Sequence, residues 1–244
     1  MIARPLRLAK YHVFSLWNWR FSYLAKFIEP LAYFVFLVPG VAGGMADPSG
    51  YGRFAFAGMC CFLAFRAATN AMSDVANDRK WGVFALYTLQ GGSVVGYLVS
   101  IVIFTLGVLA VQITLVALCG LATFGWDVFG SSTLRWLGIA VLIAIGWIGA
   151  GVAVGSRIQS YAKRDMIVVL TSLPVVLSAP LFYSLETAPA FSRIVSTANP
   201  LTYQVGWIRG DAWGDAIFAA LWAALLMVAA VLLLRNAGRV SSER

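Results

Sequence analysis

Six long apolar stretches, separated by short polar gaps, constrain this chain more than any other feature. They lie at residues 24–44, 52–72, 94–118, 134–156, 166–183 and 213–234. Each is close to the ~20 residues that a helix needs, at ~1.5 Å per residue, to cross a hydrocarbon core of ~30 Å. Because the backbone cannot hydrogen-bond to water in that core, runs of this length must be helical. The sequence therefore predicts an all-α membrane protein with six transmembrane helices in one domain, residues 1–244.

Composition and charge agree with a lipid environment. Hydrophobic residues make up 61% of the chain and charged residues only 11%. The net charge of +8 does not indicate nucleic acid, because the basic residues lie beside the apolar stretches and form no single solvated patch. Twelve of the 18 Lys and Arg residues fall in segments 1–23, 73–93, 157–165 and 235–244. The positive-inside rule then predicts that both termini are cytoplasmic.

Motifs for catalysis, nucleotide binding or metal binding are absent from the sequence. No GxxxxGK[ST] segment occurs, so ATP cannot bind through a P-loop. The single histidine, His12, has no Cys, Asp or Glu cluster at ligand spacing. Cys60, Cys61 and Cys119 lack the CxxC spacing of a metal or redox site, and we expect them to be buried and unpaired. We therefore expect no catalytic, cofactor or metal site in this chain.

Segment 1–23 is predicted to be an amphipathic helix on the cytoplasmic membrane surface. It lacks the apolar core and cleavage site of a removable signal peptide. Lys10 projects on the apolar side and would have to extend its amine towards the headgroups, and Trp17 and Trp19 suit the headgroup zone. The apolar residues at helical spacing are Val13, Phe14, Trp17, Phe21 and Leu24.

Two gaps are irregular. Gap 73–93 combines charged residues with an amphipathic run, 81–89, and ends in a turn at Gly91-Gly92. It is either a solvated connector or a docking helix for a cytoplasmic partner. In the outer gap 185–212, Asn199 is a plausible N-cap followed by Pro200, and the segment is apolar for a loop. We predict two short helices here that enter the outer leaflet.

Short motifs occur in a fixed order over nearly the whole chain. Glu29-Pro30-Leu31-Ala32-Tyr33 opens the first stretch, Tyr51-Gly52-Arg53-Phe54 with Gly58 opens the second, and Asn199-Pro200-Leu201-Thr202-Tyr203 with Arg209 precedes the last. Together with the amphipathic segment 78–89, this order resembles the type-2 ABC transporter permease family. The turn Leu89-Gln90-Gly91-Gly92-Ser93 departs from the family pattern, because it has no proline and the usual Glu is missing.

The resemblance implies the membrane subunit of an ABC exporter in the bacterial inner membrane. Such a subunit pairs with a second permease copy or a paralogue and works with two ATPase subunits, which bind ATP and magnesium. The Glu-Pro-x-x-Tyr opening is more similar to permeases for daunorubicin-type drugs and lipo-oligosaccharides than to those for O-antigen or teichoic acid chains. The implied cargo is a hydrophobic or amphipathic drug, polyketide, lipid or lipo-oligosaccharide, with a long lipid-linked polysaccharide as the alternative.

The resemblance also suggests roles for three groups of residues. ATPase coupling is assigned to Asp78, Arg79, Lys80, Trp81, Phe84, Leu86, Leu89 and Arg164, with segment 157–165 and the N-terminal helix as secondary contacts. The outer gate is assigned to Phe191, Asn199, Pro200 and Tyr203. Aromatic side chains that either contact cargo or only pack in the core are Phe34, Phe62, Phe65, Tyr87, Phe182 and Tyr183.

Depth in the membrane predicts an ion pair between the first two spans. Counted from the predicted cytoplasmic ends of those spans, Glu29 lies about 8 Å and Arg66 about 9 Å into the membrane. Pairing would offset the cost of placing each charge there. Alternatively, Arg66 extends to the headgroups and Glu29 pairs with Lys26.

Two other functional classes are compatible with the sequence. A membrane-embedded enzyme would need polar residues clustered at one depth, and only Glu29, Lys26 and Arg66 come near this arrangement. A channel or an anchor subunit would show no dependence on an ATPase.

Overall fold

The structure, a computed structural model, describes residues 3–18, 20–210 and 213–237. These residues contain no strand, which confirms the all-α prediction for this part of the chain. A π-helical stretch, Tyr33–Leu37, joins α2 to α3, and a short 3-10 helix, Gly125–Val128, follows α6. The helices are α1 (Ala3–Asn18), α2 (Arg20–Ala32), α3 (Val38–Ala42), α4 (Pro48–Lys80), α5 (Val83–Leu89), α6 (Val94–Phe124), α7 (Thr133–Gly155), α8 (Tyr161–Ser178), α9 (Ala190–Thr197), α10 (Pro200–Arg209) and α11 (Trp213–Arg235).

Among the described residues, five helical segments are long and apolar enough to cross a membrane. They are Tyr23–Ala42, Pro48–Lys80, Val94–Val128, Thr133–Gly155 and Gly214–Arg235. Helix α8 covers most of the fifth predicted stretch, 166–183, but is not in this group because Lys163, Arg164 and Asp165 lie near its start. It also ends at Ser178, so residues 179–183 are not helical.

The bundle has two ends, which we call the basic end and the far end. The basic end consists of α1, α5, the C-terminal ends of α4 and α7, and the N-terminal end of α6. The far end consists of the α3–α4 turn, α9 and α10. Helix α8 runs from one to the other, because the Tyr161 ring lies 4.0 Å from Lys80 Nζ at the basic end. At the far end, the Ser178 carbonyl accepts a hydrogen bond from Ser196 of α9.

Helix α4 is the centre of the bundle and packs most closely against α7. A Cβ at Gly151 of α7 would collide with the Ala68 carbonyl, and one at Gly155 would collide with the Met72 carbonyl. These glycines therefore let the two backbones approach, as small residues do at helix contacts in membranes. Cys60 and Cys61 of α4 are buried in this core as free thiols, while Cys119 is a half-buried free thiol.

Helix α4 is longer than the predicted span, and this corrects the position of the cytoplasmic helix. It passes Met72 and continues to Lys80. It ends before Gly82, whose φ of 73° lies in the left-handed region that favours glycine. Asp78, Arg79 and Lys80 therefore form the last turn of α4, and only Val83–Leu89 forms a separate short helix.

Helix α1 has two apolar faces, of which the sequence pattern indicated one. Phe14 and Trp17 are exposed, as a membrane-surface helix requires. On another face Leu8, Ala9 and His12 are buried, and the His12 ring lies 5.3 Å from Phe104 of α6. Residue Trp19 and the basic residues Arg239 and Arg244, used above for the surface helix and the orientation, lie outside the described residues.

Candidate functional site

An exposed apolar surface lies at the basic end, formed by Trp81 and α5. The side chains of Trp81 and Leu89 are 66% and 68% exposed, and Leu86 is exposed beside them. The other face of α5 anchors the helix, because Phe84 is buried with its ring 4.8 Å from Tyr97 of α6. Apolar side chains exposed together beyond a membrane span are typical of a protein interface.

A groove of about 480 Å³ continues this surface towards α1. Arg7 and Tyr11 line it on the α1 side, and Leu86 and Gln90 line it on the α5 side. Arg4 closes one end by donating a hydrogen bond of 2.6 Å to the Gly91 carbonyl. Helices α1 and α5 thus form one surface, called the coupling surface below, that combines two arginines with apolar side chains.

Asp78 and Arg79, predicted to belong to this surface, are buried. Asp78 is only 5% exposed and accepts a hydrogen bond of 2.7 Å from the Tyr97 hydroxyl. Arg79 donates to the carbonyls of Ser156 and Ile158, beyond the end of α7. Buried charges are stable only when paired, and both of these pair inside the protein. The assignment of Asp78, Arg79 and the buried Phe84 to a docking surface is therefore corrected.

Two further residues of the predicted coupling set, Lys80 and Arg164, are half-buried and both contact the Tyr161 ring. Lys80 Nζ and the Arg164 guanidinium carbon lie 4.0 and 4.8 Å from the centre of the Tyr161 ring. Arg164 also pairs with Asp165 at 2.8 Å. These contacts join the end of α4 to the start of α8.

The buried charges surround a polar cavity of about 500 Å³ beneath α5. Its lining includes His12 of α1, Lys26 of α2, and Asp74 and Asp78 of α4. The Tyr23 hydroxyl of α2 donates to Asp74 Oδ1 at 2.9 Å. We call His12, Tyr23, Lys26, Asp74 and Asp78 the polar cluster. Because Tyr97 of α6 also bonds to Asp78, the polar cluster connects α1, α2, α4 and α6.

His12 is the titratable link between α1 and this cluster. Its Nε2 lies 3.3 Å from Asp78 Oδ2. Burial disfavours the imidazolium, but the contact with Asp78 and the charges of Asp78 and Asp74 outweigh burial and raise the pKa of His12 above its ordinary value of 6.5. Among the described residues, no group of three His, Cys, Asp or Glu side chains is placed to hold a metal ion.

Glu29 and Arg66 form an ion pair between α2 and α4. Arg66 Nη2 lies 2.5 Å from Glu29 Oε2, with the arginine side chain largely buried and the glutamate partly exposed. The alternative partner, Lys26, instead places its amine 4.4 Å from the Tyr23 ring. The pair thus joins α2 to α4, the two elements that contain the first two predicted spans.

The aromatic residues suggested for cargo contact do not share a surface. Phe34, Phe62 and Phe65 are buried in the core, where the Phe65 ring packs edge-on against Trp147 at 4.8 Å. Tyr87 lies at the basic end, and Phe182 and Tyr183 lie at the far end. Packing in the core therefore explains Phe34, Phe62 and Phe65 better than cargo contact does.

At the far end, the two short helices are present as α9 and α10, and they differ in environment. Phe191 of α9 is 77% exposed. In contrast, α10 is inserted between α4, α7 and α11 and buries Leu201 and Gln204. Gln204 Oε1 accepts a hydrogen bond of 2.7 Å from Trp147 of α7. Of the two, only α10 belongs to the core of the bundle.

Asn199 and Pro200 begin α10 as the sequence predicted. Asn199 Oδ1 accepts from the Leu201 amide at 3.0 Å, and Pro200 occupies the first turn. The Asn199 side-chain nitrogen also donates to the Val175 carbonyl at 2.7 Å and to Ser178 Oγ at 2.8 Å. Asn199 therefore fixes the end of α8 as well as capping α10. Tyr203 reinforces the turn by donating to the Thr197 carbonyl at 2.9 Å.

Arg209 holds the far end together, a role that sequence reasoning missed. Its guanidinium donates to the carbonyls of Pro180 and Leu181, both at 2.5 Å, and to that of Phe54 at 3.0 Å. Burial lowers the pKa of Arg209 to about 10. A Cβ at Gly58 would collide with the same Leu181 carbonyl, so glycine is required for this approach. The only sequence signal was that Gly58 and Arg209 both belong to the motifs quoted above.

Known proteins are similar to this chain over the region from α1 to α10. A model of the family described as ABC-2 type transporter matches residues 6–211. A protein of Porphyra purpurea that is named as a transport permease, ycf38, is 22% identical over 205 residues, which cover 80% of this chain and 69% of that protein.

Proposed function

This chain belongs to the ABC-2 type transporter family and is a transmembrane permease of an ABC transporter, and from that premise we propose that it exports a hydrophobic or amphipathic substrate with ATP hydrolysed by a separate subunit. Members of this family are transport subunits and not catalytic ones. The chain accordingly has no P-loop of its own.

The coupling surface is the proposed docking site for the ATPase subunit, and its exposed apolar residues are the observation that carries the proposal. Trp81, Leu86 and Leu89 are exposed at the end that the positive-inside rule places in the cytoplasm. Arg4 and Arg7 extend this surface with positive charge, which complements an acidic rim on a partner. Movement imposed on α5 or α1 would reach α4 and α6 through the polar cluster.

A sixth membrane crossing by α8 completes the proposed topology. Helix α8 has 18 residues, a length of about 27 Å, and it connects the two ends of the bundle. Its charged residues Lys163, Arg164 and Asp165 lie together at the basic end, where headgroups and water can solvate them. With six crossings, both termini lie in the cytoplasm of a bacterial inner-membrane protein.

A second permease copy or a paralogue is the proposed partner within the membrane. Helix α8 has no buried residue in the single chain, and few residues of the first span, Tyr23–Ala42, are buried. Two such poorly covered helices suit an interface with another permease, each permease being driven by one ATPase subunit that binds ATP and magnesium. The cargo class, a drug, polyketide, lipid or lipo-oligosaccharide, rests on the resemblance of the segment Glu29–Tyr33 and has the lipid-linked polysaccharide as its alternative.

Site-specific photo-crosslinking in native membranes tests the docking proposal. A photoreactive residue at Leu89 should crosslink to a protein that mass spectrometry identifies by its Walker motifs. The same residue at Leu134, an exposed leucine at the far end, is the control and should not. Crosslinking of Leu89 only to lipid or to another permease would refute the proposal. Transport by the purified chain without any ATPase would instead indicate a channel.

A further inference from the structure

A lipid-sized groove lies between α6 and α11 at the basic end. It has a volume of about 540 Å³ and is lined by apolar side chains, among them Val99 and Ile103 of α6 and Val228 and Leu232 of α11. Its one charged lining residue is Arg235, in the last turn of α11. From this arrangement we propose that the groove binds one anionic membrane phospholipid, with an acyl chain between the helices and the phosphate on Arg235.

The dimensions of the groove fit an acyl chain in a single leaflet. From Val95 to Ile103 the lining residues of α6 span eight residue steps, or about 12 Å along the helix axis. One leaflet of the hydrocarbon core is about 15 Å deep. The groove therefore begins at the level of the headgroups and runs through most of the inner leaflet. An acyl chain there fills the space that two loosely packed helices leave between them, where each helix would otherwise lose dispersion contacts.

Arg235 supplies the charge recognition. The guanidinium is exposed, and it forms no ion pair or hydrogen bond with any other described residue. Arginine binds phosphate oxygens through two parallel N–H donors, which suits a phosphodiester at the mouth of a groove. An interfacial arginine also gains from the negative surface potential of the cytoplasmic leaflet.

An anionic lipid fits better than a zwitterionic one. No carboxylate lines the groove, so an amine headgroup would find no partner there. Arg4 and Arg7 line a separate cavity at Gly96, one residue beyond Val95 of the groove, and add positive charge to this end of α6. A second permease copy is less suited to this groove, because its apolar surface would have to cover the Arg235 guanidinium without pairing it.

Lipid binding by the purified protein tests this site. Native mass spectrometry would measure the dissociation constants of phosphatidylglycerol and of phosphatidylcholine with identical acyl chains. Arg235→Gln should weaken phosphatidylglycerol binding about tenfold, the effect of one charge-assisted hydrogen bond. The same change should weaken phosphatidylcholine binding less, because the choline cation already offsets part of the attraction between its phosphate and Arg235. Arg235→Lys should retain part of the preference, and Arg193→Gln, which removes an exposed arginine at the far end, should change neither constant.

A second pair of variants tests the acyl-chain groove and does not depend on Arg235. Val99→Trp fills the groove and should reduce retention of both lipids at least threefold, whereas Val141→Trp, at a similarly exposed valine of α7, should not. Equal affinity of the unaltered protein for the two lipids would overturn the proposal, as would unchanged phosphatidylglycerol binding in Arg235→Gln. A disulfide-linked dimer formed by Val99→Cys would show that a second copy occupies the groove and would also overturn it.

Discussion

Single residues inside this bundle illustrate how a membrane protein accommodates charge. Arg66 neutralises Glu29, Arg79 and Arg209 are solvated by backbone carbonyls, and Asp78 is held by a tyrosine and a histidine. In each case hydrogen bonds or an opposite charge replace water, because an unpaired charge at these positions would cost several kcal/mol. Substitutions at these residues should therefore affect stability more than those at exposed charged residues.

The Glu29–Arg66 pair provides the first prediction at this scale. Glu29→Gln or Arg66→Gln should each lower the free energy of unfolding by about 1–2 kcal/mol, less than for a fully buried pair because Glu29 is partly exposed. The charge-swapped double variant Glu29→Arg/Arg66→Glu should recover part of this loss. Thermal unfolding in detergent measures both effects, with Glu186→Gln at an exposed carboxylate as the control. Additive losses in the double variant would show that the pair contributes nothing.

His12 gives a second residue-scale prediction, on pH dependence. Because the folded protein raises the pKa of His12, its contact with Asp78 contributes stability that is complete below the unfolded value of 6.5 and disappears as the pH rises through the folded pKa. The imidazole resonances of the only histidine should titrate with a midpoint above 6.5 in the folded protein. In His12→Gln the melting temperature should lose this part of its pH dependence. A midpoint below 6.5 would contradict the assigned contact.

At the scale of elements, close backbone approach decides which helices pack. Helices α4 and α7 meet across glycines, and the same principle fixes the non-helical segment 179–183 against α4 at Gly58. The Tyr51 hydroxyl and the Arg209 guanidinium bind the carbonyls of this segment, which have no helical partners. The segment between α8 and α9 is therefore held by its backbone, and its sequence alone gives little indication of this.

A pair of glycine substitutions tests this element. Gly58→Ala should destabilise the protein by about 2 kcal/mol or more, since the added Cβ would displace the Leu181 carbonyl. Gly138→Ala adds the same methyl group to α7 where no atom lies within 4 Å, and should be neutral or slightly stabilising. Thermal unfolding measures both, and limited proteolysis should show faster cleavage near residue 184 only in Gly58→Ala. Equal stability of the two variants would exclude a tight contact at Gly58.

Across the whole molecule, the two ends of the bundle are chemically different. The basic end combines a coupling surface with a buried polar cluster, whereas the far end has the exposed apolar helix α9 and the buried α10. This difference agrees with the proposal that an ATPase subunit docks at the basic end. Because each end has exposed residues, single cysteines placed at the two ends can show which end faces the cytoplasm.

Cysteine labelling in intact cells provides the prediction at this scale. With the buried Cys60 and Cys61 left in place and the half-buried Cys119 changed to Ala, a membrane-impermeant maleimide should label Glu186→Cys at the far end quickly. Leu86→Cys at the basic end should react only after the membrane is permeabilised. If α9 enters the outer leaflet as we propose, Phe191→Cys should react at least tenfold more slowly than Glu186→Cys in spite of its exposure in the isolated chain. Equal labelling of those two would indicate a solvated loop, and labelling of Leu86→Cys in intact cells would reverse the proposed orientation.

The sequence by itself determined the helical class, five of the helical spans, the cap of α10 at Asn199 and the meeting of Glu29 with Arg66. These follow from local or one-dimensional causes: the length of apolar runs, capping chemistry and depth along a helix. The tertiary structure alone decided that α4 continues to Lys80 with Asp78 and Arg79 buried, and that Arg209 binds three carbonyls. From sequence alone, a charged residue in a gap between apolar stretches is expected to be exposed to solvent, because the sequence does not show which partners could bury it. These partners, Tyr97 for Asp78 and Pro180 for Arg209, come from other helices and segments, so only the packed chain brings them together.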